Sequence, residues 1–66
     1  MKLITYYKQL NAEQKRALAK NVGTSLAYLR HLAHGRKMAS HKLVKKIVTA
    51  TDGKVTRQEL RPDIYG

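Results

Sequence analysis

Arg30 is the side chain of this sequence best equipped to recognise another molecule. Its planar guanidinium can donate two parallel hydrogen bonds to guanine O6 and N7, a contact worth roughly 1–3 kcal/mol of discrimination. The same fork can instead hold a phosphate, or simply stand in water. His31 beside it can donate to a base or a phosphate, or stay a surface histidine. Ser25, Leu26 and Ala27 precede them by less than two helical turns. A hydroxyl at a helix start can cap the helix or hold a phosphate. Leu26 and Ala27 are unusual on a polar outer face and suit a thymine methyl group, unless Leu26 folds back onto the protein. Ser25, Leu26, Ala27, Arg30 and His31 therefore form the candidate base-reading set.

Phosphate contacts position a protein on a duplex without reading sequence, and they come from groups flanking the reading element. Arg36, Lys37 and Lys42 lie just beyond it, and His34 lies at its end. Gln14 sits where a side chain or backbone amide can hold a phosphate, and Tyr28 can turn its hydroxyl toward one or remain half-buried core. Lys15 and Lys20 are weaker candidates, since either can belong to a solvated helix face.

For such side chains to act together, a helix must present them outward while burying the positions between. Ala19, Gly23, Leu29 and Leu32 have the spacing of a helix-turn-helix. The first helix needs a small residue where the second crosses it, and Ala19 supplies that. The reversal between them is cheap for a residue free to adopt positive φ, which Gly23 is. Leu29 and Leu32, three apart, face inward with Ala17, Leu18 and Val22 of the first helix.

The flanking elements follow from similar signals. Leu3, Tyr6 or Tyr7, and Leu10 predict a helix over about residues 2–10. Asn11 with Gln14 matches a reciprocal capping box, opening a helix over 12–21. Thr24 or Ser25 caps the next, over 25–34, which Gly35 ends. Gly35 to Ala39 reads as a basic loop. Ser40 caps a fourth helix bearing Leu43, Val44, Ile47 and Val48, with Lys42, Lys45 and Lys46 on its other side. Asp52-Gly53 is a turn, followed by a β-ribbon or a turn of helix; the Thr56 and Glu59 capping box favours helix, with Pro62 ending it. The expected fold class is all-α, a bundle of about five short helices.

The formal charge is +10, and residues 1–51 hold eleven Lys and Arg against the single acid Glu13. Residues 52–66 balance at three of each sign. A polyanion is the natural partner, and nucleic acid is the commonest polyanion for a small basic domain, though a well-charged soluble surface has the same composition. At 66 residues the chain reads as one domain burying about 60% of its unfolded surface, so dimerisation would help it. It has no cysteine, which fits a reducing cytoplasm. Met1 to Ile4 meets Thr5 too soon to form the apolar core of a signal peptide, and the longest apolar run, Leu26 to Leu29, cannot span a membrane.

Catalytic chemistry finds little to work with. A two-carboxylate site needs paired acids, which residues 1–51 lack. His31, His34 and His41 could in principle share a metal, but no acid or thiol supports them. Without a cysteine nucleophile, a glycine-rich phosphate loop or clustered serine, histidine and acid, the sequence implies no enzyme, no metal and no cofactor.

The segment from Gln14 to Leu29 resembles the helix-turn-helix of Cro-type phage repressors. The segment Val55-Thr56-Arg57-Gln58-Glu59-Leu60-Arg61-Pro62-Asp63-Ile64 resembles the tail of the YdaS-like group of prophage regulators in that class. The resemblance implies a lambda-repressor-like single domain over 1–66, with the helix-turn-helix at about 12–34 and a tail at 54–66. It also implies a repressor acting in the bacterial host cytoplasm as a homodimer on a short inverted repeat of double-stranded DNA. Carried over by position, Ser25, Leu26, Ala27, Arg30 and His31 face bases, while Gln14, Arg36 and Lys37 meet the backbone. Thr24 departs from the pattern, where an apolar β-branched residue usually follows the turn glycine. Some relatives are antitoxins, so a second reading is an interaction module that masks a toxin through an apolar patch around Leu60, Ile64 and Tyr65; otherwise these residues dock on the helical body. RNA binding suits the chain less, with four tyrosines but no phenylalanine or tryptophan to stack on bases.

Overall fold

Asn11, Ser25, Ser40 and Thr56 each open a helix in the computed structural model, which describes residues 1–65. The described elements are α1 (Leu3–Lys8), α2 (Ala12–Val22), α3 (Leu26–Ala33), α4 (His41–Ala50), α5 (Arg57–Leu60) and α6 (Pro62–Tyr65), with no strand among the described residues. Gly66, the last residue of the expected tail, lies outside them. The all-α expectation stands, with six helices rather than about five.

Each cap satisfies backbone donors that the first turn leaves unpaired. Gln14 N–H donates to Asn11 Oδ1 at 2.8 Å, and Asn11 N–H donates back to Gln14 Oε1 at 2.9 Å. Ser25, not Thr24, caps α3, accepting from Tyr28 N–H at 3.0 Å. Ser40 accepts from Leu43 N–H at 3.3 Å, and Thr56 with Glu59 forms a second reciprocal box. Such caps contribute about 0.5–2 kcal/mol each.

Gly23 closes α2 at φ +82°, with its N–H donating to Ala19 O at 2.9 Å. A side chain there would force an L-residue into the left-handed region. The chain thus turns straight from α2 into α3, whose Leu29 enters a core shared with Val22, Val44, Ile47 and Val55, all fully buried. Leu18, Ala19, Leu32, Ala33, Tyr7 and Leu3 extend this core. α2 packs on α3 and α4, α1 on α3, and α5 on α4 and α6.

Three local expectations need correction. Ala17, expected on the inner stripe of α2, is exposed; Leu18, Ala19 and Val22 carry that face, because the stripe needs only one small residue at the crossing. The apolar set also extends to Ala39 and Val55, which lie in loops and carry no helical period. Pro62 does not merely end the helix opened by Thr56. It keeps Arg61 out of the helical region (φ −137°, ψ 71°), which stops α5, and then serves as the first residue of α6, where its missing N–H costs nothing.

Beyond α4, Asp52 (φ 55°) and Gly53 (φ 75°) make the turn that the sequence marks. Thr51 binds it together: its buried hydroxyl donates to Ile47 O at 2.9 Å and accepts from Val55 N–H at 3.3 Å. That hydroxyl lets Val55 enter the core with its backbone donor satisfied.

Because Leu29 is fully buried and Leu26 is 37% exposed, the two leucines of α3 must respond differently to truncation. Leu29→Ala is expected to lower stability by about 2–5 kcal/mol and Leu26→Ala by no more than about 0.5 kcal/mol, measured by urea unfolding.

Candidate nucleic-acid interface

With Leu29, Leu32 and Ala33 facing the core, Ala27 and Arg30 are exposed on the other side of α3, Leu26 is exposed at its first turn, and His31 is half-buried. Leu26 therefore does not fold back into the core. Tyr28 is half-buried and packs against the core. Ser25 stands at the helix start as an exposed cap, and its hydroxyl keeps a proton to donate outward. At the other end His34 is exposed, its ring edge-on to Tyr7 of α1 with centroids 6.4 Å apart.

Tyr7 was not among the sequence-predicted site residues. It is almost wholly buried, yet it lines a shallow cleft of about 210 Å³ with Leu26, Ala27 and Arg30. The Lys15 ammonium lies 4.6 Å from its ring centroid, a cation–π contact that gives this lysine a partner within the protein. Only the 3D packing of α1 on α3 brings Tyr7 here; the sequence signal read its position as core, which is also true.

The flanking groups fall into two sets. Arg36 and Lys37 are exposed in the loop after α3, and Lys42 is exposed on the first turn of α4. Arg36 N–H donates to His31 O at 2.9 Å, keeping the loop's start close to the helix end. Its far end is anchored by Ala39, which is buried and whose carbonyl accepts from Arg61 Nη1 at 2.8 Å. Gln14 is separate, at the start of α2. The capping box engages its backbone N–H and side-chain oxygen, leaving the side-chain amide NH2 as the group available to a phosphate.

Two of the four acids, Glu59 and Asp63, are taken up in ion pairs of the tail. Among the described residues the ion pairs are Glu59 with the Met1 ammonium at 2.6 Å and Asp63 with Arg61 at 2.8 Å. Hydrogen bonding from the ammonium holds the Glu59 carboxyl below its usual range, and the Arg61 guanidinium does the same for Asp63. Arg61 grips Asp63 with Nε and Nη2 while its third nitrogen reaches Ala39, so one side chain joins the tail to the basic loop. The Tyr65 hydroxyl is hydrogen-bonded to His41 Nδ1, and Arg57 lies 5.5 Å from the Tyr65 ring centroid. Of the tail's apolar residues, Leu60 and Tyr65 pack on the core and only Ile64, 54% exposed, stays largely in solvent.

Other hollows carry less chemistry. One, about 540 Å³, is a wide depression between α2 and α4 lined by Asn21, Lys45, Lys46, Thr49 and Ala50, with none of the predicted site residues. Among the described residues no three His, Cys, Asp or Glu side chains cluster to hold a metal ion, and His41 is engaged by Tyr65. No described helix is long and apolar enough to cross a membrane.

Comparison with known proteins matches this architecture to a family. The family model described as "Bacterial toxin YdaS" matches residues 14–66, a span that takes in both the helix-turn-helix and the tail. The "Prophage transcriptional regulatory protein" of Escherichia coli (strain K12) is 45% identical over 60 residues, which cover 91% of each chain.

The tail's two ion pairs give its docking a pH dependence with a definite sign. Both carboxyls have lowered native pKa values, so their stabilising effect is present above the usual carboxylate range and is lost as pH falls through those lowered values. Amide spectra recorded on acidification are expected to show the residues 57–65 changing in this window. In Glu59→Gln with Asp63→Asn, the change should be absent because the tail is already loosened at neutral pH.

Proposed function

The chain belongs to the family described as Bacterial toxin YdaS, and from that premise we propose that it is a sequence-specific transcriptional regulator that binds double-stranded DNA. The finer reading is a Cro-type repressor that occupies a short palindromic operator as a dimer in the host cytoplasm. The observation that carries it is the outer face of α3, where Leu26, Ala27 and Arg30 are exposed beside cations that form no ion pair among the described residues. The description of the Escherichia coli relative as a prophage transcriptional regulatory protein supports the same reading.

The mechanism follows from geometry. A major groove about 12 Å wide admits α3, first turn foremost. Ser25, Leu26, Ala27, Arg30 and His31 then face base edges, with Arg30 forking onto a guanine. Arg36, Lys37 and Lys42 reach phosphates on one flank and the Gln14 amide on the other, with Tyr28 and His34 at the margins. No cofactor is required, since repression consists of excluding polymerase from the occupied site. One protein measures 31 Å along its longest axis, whereas recognition helices on an inverted repeat sit about 34–36 Å apart, which is the argument for two copies.

A second reading, an interaction module paired with a toxin or antitoxin partner, draws on the word toxin in the family description. It would use the exposed Ile64, and co-purification with the product of a neighbouring gene would support it.

Selection from a random duplex pool tests the main reading. We expect an enriched, roughly symmetric motif. Arg30→Ala should relax preference at one position of each half-site. Lys37→Ala should weaken binding to all sequences alike and lower the salt slope by about 1. A pool that yields no symmetric motif would overturn the repressor reading.

A further inference from the structure

We propose that Tyr7, Leu26, Ala27 and Arg30 form a single subsite that reads a thymine and a guanine together, no more than two base pairs apart, in each half-site. The thymine 5-methyl enters the cleft between Tyr7, Leu26 and Ala27, while the Arg30 guanidinium takes the O6 and N7 of the guanine. The inference rests on the DNA-binding reading above and specifies the ligand of that same face.

The cleft explains an oddity of the surface. Leu26 is 37% exposed at the very start of α3, on a protein whose net charge is +10. An apolar side chain in that place gains little in water. It gains when covered, and the cleft it lines with Tyr7, Ala27 and Arg30 has a volume of about 210 Å³, ample for a methyl group. Within the major groove, thymine alone among the four bases offers a methyl group, whereas cytosine, adenine and guanine offer donors and acceptors that an apolar wall cannot satisfy. Ala27 contributes by being small, which keeps the cleft open.

The spacing couples the two contacts. Arg30 follows Leu26 by four residues and Ala27 by three, so its side chain neighbours each of them, with Cβ atoms about 5–6 Å apart. Stacked base pairs are about 3.4 Å apart, so side chains one helical turn apart reach base pairs no more than two steps apart. The cleft and the fork are therefore obliged to read neighbouring positions of one motif.

Tyr7 makes the cleft firm. It belongs to α1 and is 7% exposed, with the Lys15 ammonium over its face and the His34 ring at its edge. The methyl is thus enclosed by a wall that the recognition helix does not itself supply. With Arg30 on the cleft's rim and Lys15 packed on the Tyr7 ring, the surroundings are cationic, which favours a ligand that is apolar at one point and electronegative beside it. A thymine next to a guanine is such a ligand.

Replacing that thymine by uracil in the selected duplex removes the methyl and leaves every hydrogen-bonding edge unchanged. Wild-type protein is expected to bind the uracil duplex about fourfold more weakly per half-site, the factor for uncovering one methylene-sized group. Leu26→Ala should bind the two duplexes equally while retaining its preference for the guanine, and Arg30→Ala should lose the guanine preference while still distinguishing thymine from uracil. Circular dichroism checks that both variants are folded, the outcome expected for exposed positions. Equal wild-type affinity for the two duplexes, an undiminished thymine preference in Leu26→Ala, or a selected motif lacking a thymine within two base pairs of a guanine would overturn the subsite and leave DNA binding intact. A pool yielding no motif would remove the DNA reading and the subsite with it.

Discussion

Complete burial of Leu29 sets the rotation of α3 about its own axis, and the identity of the reading face follows from that rotation. Leu29 shares a core with Val22 of α2, Val44 and Ile47 of α4, and Val55 beyond the Asp52-Gly53 turn. A helix turns by about 100° per residue, so fixing position 29 inward turns 27 and 30 away from the core, while Leu26, three residues before Leu29, is exposed in the first turn of the helix. The short reversal at Gly23 fixes where α3 begins, and the Ser25 cap fixes its first turn. The exposure of Arg30 is thus a consequence of hydrophobic packing elsewhere on the same helix.

The tail bears on this face in a different way. Arg61 donates to Asp63 and to the Ala39 carbonyl, so the segment after Pro62 is fastened to the end of the basic loop that carries Arg36 and Lys37. Glu59 is occupied by the Met1 ammonium and by its own capping box. The tail's acids are thereby neutralised by cations of the tail and the chain start, and they do not screen the positive charge of the helical body. The Lys and Arg of residues 1–51 form no ion pair among the described residues, and such unpaired positive charge steers a basic domain toward a polyanion.

How much of this was legible in the sequence depends on how far apart the interacting residues lie. The capping boxes of Asn11 with Gln14 and Thr56 with Glu59, the Ser40 cap and the positive φ of Gly23 all involve residues within four positions of one another and were readable from residue type and spacing, whereas the cap of α3 was readable only as Thr24 or Ser25. Ala27 and Arg30 were readable as outward because helical period separates them from 29 and 32, whereas Leu26 lies one turn before Leu29 and its exposure is settled only by the packing. Tyr7 at the candidate site was not readable as such, since only the packing of α1 on α3 brings it beside Leu26. Nor were the core positions of Ala39 and Val55, or the bond from Arg61 to a carbonyl 22 residues away. Pro62 was read for its power to stop a helix, but the same missing N–H and fixed φ suit it equally to start one.

The central claim is that the outer face of α3 meets duplex DNA. Amide chemical-shift mapping on titration with a short duplex tests it most directly, because it needs no knowledge of the operator. The account predicts that the largest changes fall on Ser25 to His31 and on Arg36 to Lys42, with α5 and α6 little affected. Changes concentrated on α5 and α6, or around the depression between Asn21 and Lys46, with α3 unmoved, would contradict it.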